Sequence, residues 1–279
     1  CYRSDYNTCR LYNFYDTTVY DQICRDEMFS YFANSFLVFC GGEDGSSEFV
    51  KYCKERRKTF KIATEIRDVD GQKSVVKRAL CEEALKHISN MKDMEEKWNG
   101  TLPNVSYLVG ELVEGEYVVP YIDGVDIDCC LYRWRNDSTQ FIKHVQHIVG
   151  KYLTPKEEDM IKFEMTREYE NIFGSDYPES TQCLKITNID CLFSNFKIAD
   201  GGKVYNFDYE WIFEFPIPYK FVLWRALRQL YMKYLVYLKA QISADGFFAQ
   251  FSIDKNNVKI FEKMEKNFYD YVLGKDRRD

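Results

Sequence analysis

The stretch TNIDCLFSNFKIADGGKVYNFDYEW, residues 187–211, decides how this chain is read. Two short strand-like runs flank Asp200-Gly201-Gly202, a turn signal, and together they predict a β-hairpin. A hairpin of that length folds its second strand back on its first, so residues at the two open ends meet. Asn195 lies at one end, and Asp208 follows it by thirteen residues at the other. An Asn amide oxygen beside an Asp carboxylate is hard-oxygen ligation of the kind Mg²⁺ takes, with waters and substrate phosphates completing the shell. Asp190, five residues before Asn195, is placed to accept a hydroxyl proton or orient a nucleophile. Asp-x4-Asn spacing alone is commonplace and fits an ordinary polar loop. The second Asp behind a hairpin gives it weight.

Upstream of this segment the patterning predicts strands over 48–53, 59–66 and 73–80, the last two joined by the turn signal Asp68-Val69-Asp70-Gly71. A helix is predicted from Cys81 to about Trp98, with Ala84, His87, Ile88 and Met91 on one face. Two more strands follow, 105–112 and 116–122, around Glu114-Gly115. Residues 1–26 read as a polar and aromatic linker, 27–40 as an apolar element, and 41–47 as a loop. Beyond residue 124 the chain reads as mostly helical. Helices are predicted over 138–152, over 154–172 from a capping signal at Thr154-Pro155-Lys156-Glu157, over 219–242 and over 258–273. Short strands are expected at 183–187, 195–198 and 203–207. The fold class is α+β in two lobes: a five-stranded antiparallel N-lobe with one helix, and a mainly helical C-lobe. The expected division is 1–45 (linker or tail of an upstream domain, plus an N-terminal element), 46–123 (N-lobe) and 124–279 (C-lobe).

Composition narrows the function classes. The chain has 279 residues with 46% hydrophobic and 17% aromatic content, ample surface for a packed core. Thirty-eight basic against 44 acidic residues give a net charge of -6, which argues against a nucleic-acid partner. No uncharged apolar run approaches the roughly 18 residues of a membrane span. The helix at 219–242 carries Lys220, Arg225, Arg228, Lys233 and Lys239 and is expected to face water. The ten cysteines include no CxxC pair, so free thiols in a reducing cytosol are the simplest expectation. The aromatics of 207–224 are expected to pack the helical lobe rather than stack on sugar rings. The chain opens Cys1-Tyr2-Arg3 rather than on Met, and is expected to be a piece of a longer polypeptide.

The order Asp190, Asn195, hairpin, Asp208 resembles the catalytic and metal-binding loops of the protein-kinase-like fold. Phe207-Asp208-Tyr209-Glu210-Trp211 is more similar to the small-molecule branch, the aminoglycoside phosphotransferases and choline kinases. Asn188 stands where protein kinases have His. Only ten residues (209–218) separate Asp208 from the next helix, too few for a peptide-docking activation segment. The resemblance implies ATP and Mg²⁺ as cofactors, Asn195 and Asp208 as metal ligands, and Asp190 as the catalytic carboxylate. Ser74-Val75-Val76-Lys77 matches the strand-borne phosphate-binding Lys, and Glu83 on the following helix is its expected partner, with Glu82 as runner-up. No GxGxxG exists. The window 51–61 instead carries six positive charges against one negative, and Arg56 and Arg57 are expected to bind phosphate in place of a glycine loop. A solvated hairpin tip is the plainer alternative for that window. Val119, Pro120, Tyr121 and Ile122 resemble the adenine-binding hinge between the lobes.

A closer resemblance runs over most of 27–240. FANSFLV, KERRKTF, SVVKRAL with EALKHI, and DYEWIFEFPIPYKFVLWR are similar to the kinase domain of the bacterial O-antigen chain-terminating bifunctional methyltransferase/kinase family. That family implies a sugar or surface-glycan acceptor, a fused methyltransferase or glycosyltransferase domain, and a cytoplasmic protein able to associate peripherally with the inner face of the membrane. The competing expectation is a catalytically silent kinase-like module that binds nucleotide or glycan and organises a fused transferase. The missing glycine loop and Asn188 favour it, and retention of Lys77, Asp190, Asn195 and Asp208 speaks against it.

Overall fold

The computed structural model describes residues 47–178 and 181–274, together with Ile23, Arg25, Asp26 and Met28. The expectations for 1–40 and for the loop before Ser47, including the FANSFLV segment, lie outside the described residues apart from those four.

Strands β1 (Ser47–Tyr52), β2 (Ile62–Val69) and β3 (Gln72–Ala79) form the first half of an antiparallel sheet. The turn between β2 and β3 is Asp70-Gly71, both at positive φ (54° and 80°), with the Gly71 N–H donating to Asp68 Oδ1 at 2.8 Å. That two-residue loop pairs Val69 with Gln72 and so fixes which face Lys77 occupies. Strand β4 (Ser106–Tyr107) leaves this sheet, whereas β5 (Glu111–Val113) and β6 (Glu116–Pro120) complete it in the order β1-β2-β3-β6-β5. The predicted strand 105–112 is therefore two strands, and β4 runs parallel to the strand Val204–Asn206.

Helix α1 (Leu85–Trp98) follows a 3-10 turn at Glu82–Ala84 and buries His87, Ile88, Met91, Glu95 and Trp98 against the sheet. The buried Glu95 carboxylate accepts from the Tyr117 hydroxyl and from the Gly110 N–H (2.9 Å), so its charge does not lie uncompensated in the core.

The second half of the chain is helical with small sheets between. It comprises β7 (Val125–Asp126), α2 (Ser138–Ile148), β8 (Met160–Lys162), α3 (Arg167–Phe173), β9 (Gln182–Leu184), β10 (Thr187–Asn188), β11 (Phe196–Ile198) and β12 (Val204–Asn206). After β13 (Ile212–Phe213) and β14 (Ile217–Pro218) come α4 (Tyr219–Lys233), α5 (Leu235–Leu238), α6 (Ala244–Ala249) and α7 (Lys255–Leu273). The fold is thus α+β, with an antiparallel N-terminal sheet and a helical C-terminal part. Among the described residues no helix is long and apolar enough to cross a membrane.

Two helix predictions need correction. The predicted helix 154–172 is a 3-10 turn, then β8, then a short α3 capped by Thr166, whose Oγ1 accepts from the Tyr169 N–H. Ile161-Lys162-Phe163-Glu164-Met165 alternates apolar and charged with period two, and pairing of β8 with β9 outweighs the capping signal at Thr154. The predicted helix 219–242 breaks at Tyr234, whose buried hydroxyl donates to the Asp128 carbonyl at 2.7 Å. The aromatics pack the core as expected: Tyr209, Trp211, Phe221 and Trp224 are all buried.

Candidate active site

The hairpin β11–β12 pairs Phe196 with Asn206, and at its open end the Phe207 N–H donates to the Asn195 carbonyl at 3.1 Å. Asn206 reinforces that closure through Nδ2 on the same carbonyl, while its Oδ1 accepts from the Trp98 indole of α1 at 3.1 Å. Asn195 and Asp208 are brought together as the spacing predicts. The Asn195 Nδ2 donates to the Asp190 carbonyl at 2.8 Å, and its Oδ1 accepts a long contact from the Ser194 hydroxyl at 3.5 Å. Asp208 sits in the left-handed region (φ 69°), a strained choice for Asp that re-aims its peptide. Its carbonyl accepts from Asn188 Nδ2 at 3.1 Å, and Asn188 Oδ1 accepts from the Asp190 N–H at 2.9 Å. Asn188, fully buried, thus ties the two acidic residues to one frame.

Lys77 on β3 points into this frame. Its Nζ lies 2.5 Å from Asp208 Oδ1 and 3.6 Å from Glu210 Oε2. Burial favours the neutral amine, but Asp208 and Glu210 reverse that and hold the ammonium above its ordinary value. Glu210 is the centre of the cluster, paired with Arg56 and 3.2 Å from His87 Nε2. Burial alone would raise its carboxyl, yet Arg56 and Lys77 hold it far below the usual carboxylate range.

The expected partner of Lys77 is corrected by this geometry. Glu83 lies in the 3-10 turn before α1, half-exposed, and pairs with Lys58 at 3.2 Å. The turn starts before the helix acquires its inward face, and the inward-facing position one turn later is His87. Negative charge reaches Lys77 from Asp208 and Glu210 instead. The signal for Glu210 was present in Asp208-Tyr209-Glu210, where the side chain two residues after Asp208 returns to the same site.

The basic tip is divided. Arg56 reaches Glu210 and lies over the Trp211 ring at 5.6 Å. Burial opposes its charge, and Glu210 more than restores it. Arg57 is not brought to the site. Its Nη2 donates to the Asp270 carbonyl at 3.3 Å, its N–H donates to the Val272 carbonyl at 2.9 Å, and its guanidinium lies over Tyr271, all at the end of α7. The tip is therefore docked by its own arginines rather than solvated as a free hairpin.

Asp190 is half-buried against α4. Arg225 Nη1 donates to Asp190 Oδ1 at 3.0 Å and to the Ile189 carbonyl at 2.6 Å. Burial raises the Asp190 carboxyl, Arg225 lowers it, and Asp208 and Glu210 push it up again, leaving it above its ordinary value. Arg225, expected in water, is buried, because the face of α4 that carries it packs on the segment holding Ile189 and Asp190.

Of the residues expected to border adenine, Tyr121 lies beside the hairpin, its ring 5.9 Å from Lys197 Nζ. Val119 is buried in β6 opposite Val75, and Pro120 is exposed opposite Ser74. The Tyr121 N–H donates to the Lys73 carbonyl at 3.0 Å, so the sheet uses that donor. Ile122 packs against the core. Gly124 then passes so close to β11 that a Cβ there would sit 2.5 Å from the Ile198 carbonyl oxygen, and β7 pairs directly with β11.

No model of a known protein family matches the chain, and no curated protein matches it. Among solved structures, it is similar to the choline kinase LicA from Streptococcus pneumoniae, at 12% identity and TM-score 0.36, covering 90% of this chain and 99% of that one. It is also similar to the macrolide 2′-phosphotransferase MphH from Brachybacterium faecium, at 11% identity and TM-score 0.38, covering 92% of each chain. A third similar structure is the complex of gentamicin with APH(2″)-IIa, at 9% identity and TM-score 0.38, covering 94% and 97%.

Proposed function

We propose that this chain is an ATP- and Mg²⁺-dependent phosphotransferase acting on a hydroxyl of a sugar or surface-glycan acceptor. The observation that carries the phosphotransfer reading is the single frame holding Lys77, Asp190, Asn195 and Asp208, with Asn188 bonded to both acidic residues. Phosphoryl transfer asks little covalent chemistry of a protein; positioning and charge compensation do most of the work.

The donor set fits Mg²⁺. Asn195 offers an amide oxygen oriented by its own N–H bond, and Asp208 a carboxylate, both hard-oxygen ligands. A bound Mg²⁺ would neutralise phosphate charge. Lys77 would exchange part of its contact with Asp208 for phosphate oxygens, and Glu210 would keep its ammonium in place. Arg56 would add a second cation over the phosphates. Asp190 would orient the acceptor hydroxyl and take its proton. Val119 to Ile122 would border the purine, next to the lobe boundary proposed at residues 123–124.

The proposed glycan acceptor, fused transferase domain and workplace at the inner membrane face rest only on the resemblance of those sequence segments to the chain-terminating kinases.

The test is a thermal-shift titration. ATP with Mg²⁺ should raise the melting temperature, since a ligand bound only by the folded state stabilises it by mass action. Asp208→Asn should lose the metal-dependent part of that shift more than the metal-free part. No response to millimolar ATP, with or without Mg²⁺, would overturn the reading.

A further inference from the structure

We propose that Arg225 is a positioning residue of this site: from α4 it clamps Asp190 Oδ1 and the Ile189 carbonyl together, fixing the carboxylate so that its other oxygen meets the acceptor hydroxyl. This rests on the phosphotransfer reading and deepens it. Asp190 lies in the segment between β10 and the turn into β11, where backbone alone does not set a side-chain rotamer. One guanidinium nitrogen bonds both the main chain before Asp190 and the carboxylate itself, 2.6 and 3.0 Å away. Two observations show that the arginine is itself held. Its Nε lies 3.6 Å from Glu265 Oε1 on α7, and its guanidinium lies over the Phe268 ring at 5.4 Å. Arg225 and Glu265 are both buried, so α4 and α7 together fix the donor before any substrate arrives. Asp190 is placed by a chain of contacts running Glu265, Arg225, Asp190, with Asn188 fixing its N–H from the other side. A lysine at 225 keeps the charge but has no Nε facing Glu265 and no planar group over Phe268, so nothing fixes its nitrogen against the two oxygens.

The experiment is a double-mutant cycle on ATP turnover, read as kcat and KM separately. Arg225→Lys should lower kcat about 10- to 100-fold, the cost of a misplaced reacting group, with KM for ATP unchanged. In the Asp190→Asn background the same substitution should cost nothing further, because the group it positions is gone. The ATP-induced thermal shift of each variant serves as the check on folding, and Arg225→Gln, which keeps an N–H donor, replaces any variant that fails it. A loss of equal size in both backgrounds, or one confined to KM, overturns the positioning role. Turnover in wild type with Arg225→Lys unaffected overturns this inference alone. No turnover in wild type overturns the phosphotransfer reading and this inference with it.

Discussion

Glu210→Gln removes one negative charge from a buried cluster of Arg56, Lys77 and His87. The side chain keeps its size and an acceptor oxygen, so the loss is electrostatic. Breaking one partner out of a buried ion pair costs about 3–5 kcal/mol, because the remaining charge stays desolvated. The lower end applies here, since Lys77 keeps Asp208 and the glutamine still accepts a hydrogen bond. About 3 kcal/mol is roughly 5 °C of melting temperature for a chain of 279 residues. ATP brings back the missing negative charge beside the same cations. The deficit should therefore be largest without nucleotide and shrink when ATP is saturating. Glu83→Gln is the control: its pair with Lys58 is solvent-exposed, and the melting temperature should not move. Differential scanning of wild type and both variants, with and without ATP, decides the matter. Equal effects at the two positions, or a larger one at Glu83, would refute the assignment of Glu210 as the residue that holds Lys77.

Three further outcomes are expected. Arg56→Ala should weaken ATP about 10- to 100-fold in Kd while sparing adenosine, one charge-assisted contact being worth roughly 1.5–3 kcal/mol, whereas Arg57→Ala should spare both in calorimetric titration. Asn188→Ala strands the Asp190 N–H and the Asp208 carbonyl, each costing about 1–3 kcal/mol when buried, and should lower the urea midpoint. Glu65 accepts from Arg67 and Arg78; burial opposes its charge, but the two arginines lower its carboxyl below the ordinary 4.5. Its contribution is complete above the unfolded value and disappears as pH falls through the folded one, so Glu65→Gln should destabilise the chain at pH 7 and progressively less below about 4.5.

The parts of the site legible in the sequence are those set by local geometry. Asn195 and Asp208 meet because a hairpin of fixed length requires it, and Lys77 points inward because the Asp70-Gly71 turn fixes the register of β3. Glu210 is signalled by its place two residues after Asp208, but its partners Arg56 and His87 come from distant elements that spacing does not anticipate. Arg225 was read as a solvated charge, since a helix pattern does not say which polar face another element covers. Arg56 and Arg57 are neighbours with the same chemistry. Only the packing of the tip against α7 separates them. The error over 154–172 has another cause, two competing periodicities in one segment, of which the strand pairing prevails.

The central claim, that Asp190 acts on an acceptor within an ATP site, is met most directly by labelled γ-phosphate. Wild type and Asp190→Asn are compared for transfer to oligosaccharide acceptors and for slow ATP hydrolysis, with the ATP-induced thermal shift measured on both. Asn is nearly isosteric with Asp but cannot take the proton, so Asp190→Asn should keep the thermal shift and lose turnover by orders of magnitude. Equal rates in the two proteins would contradict the assignment.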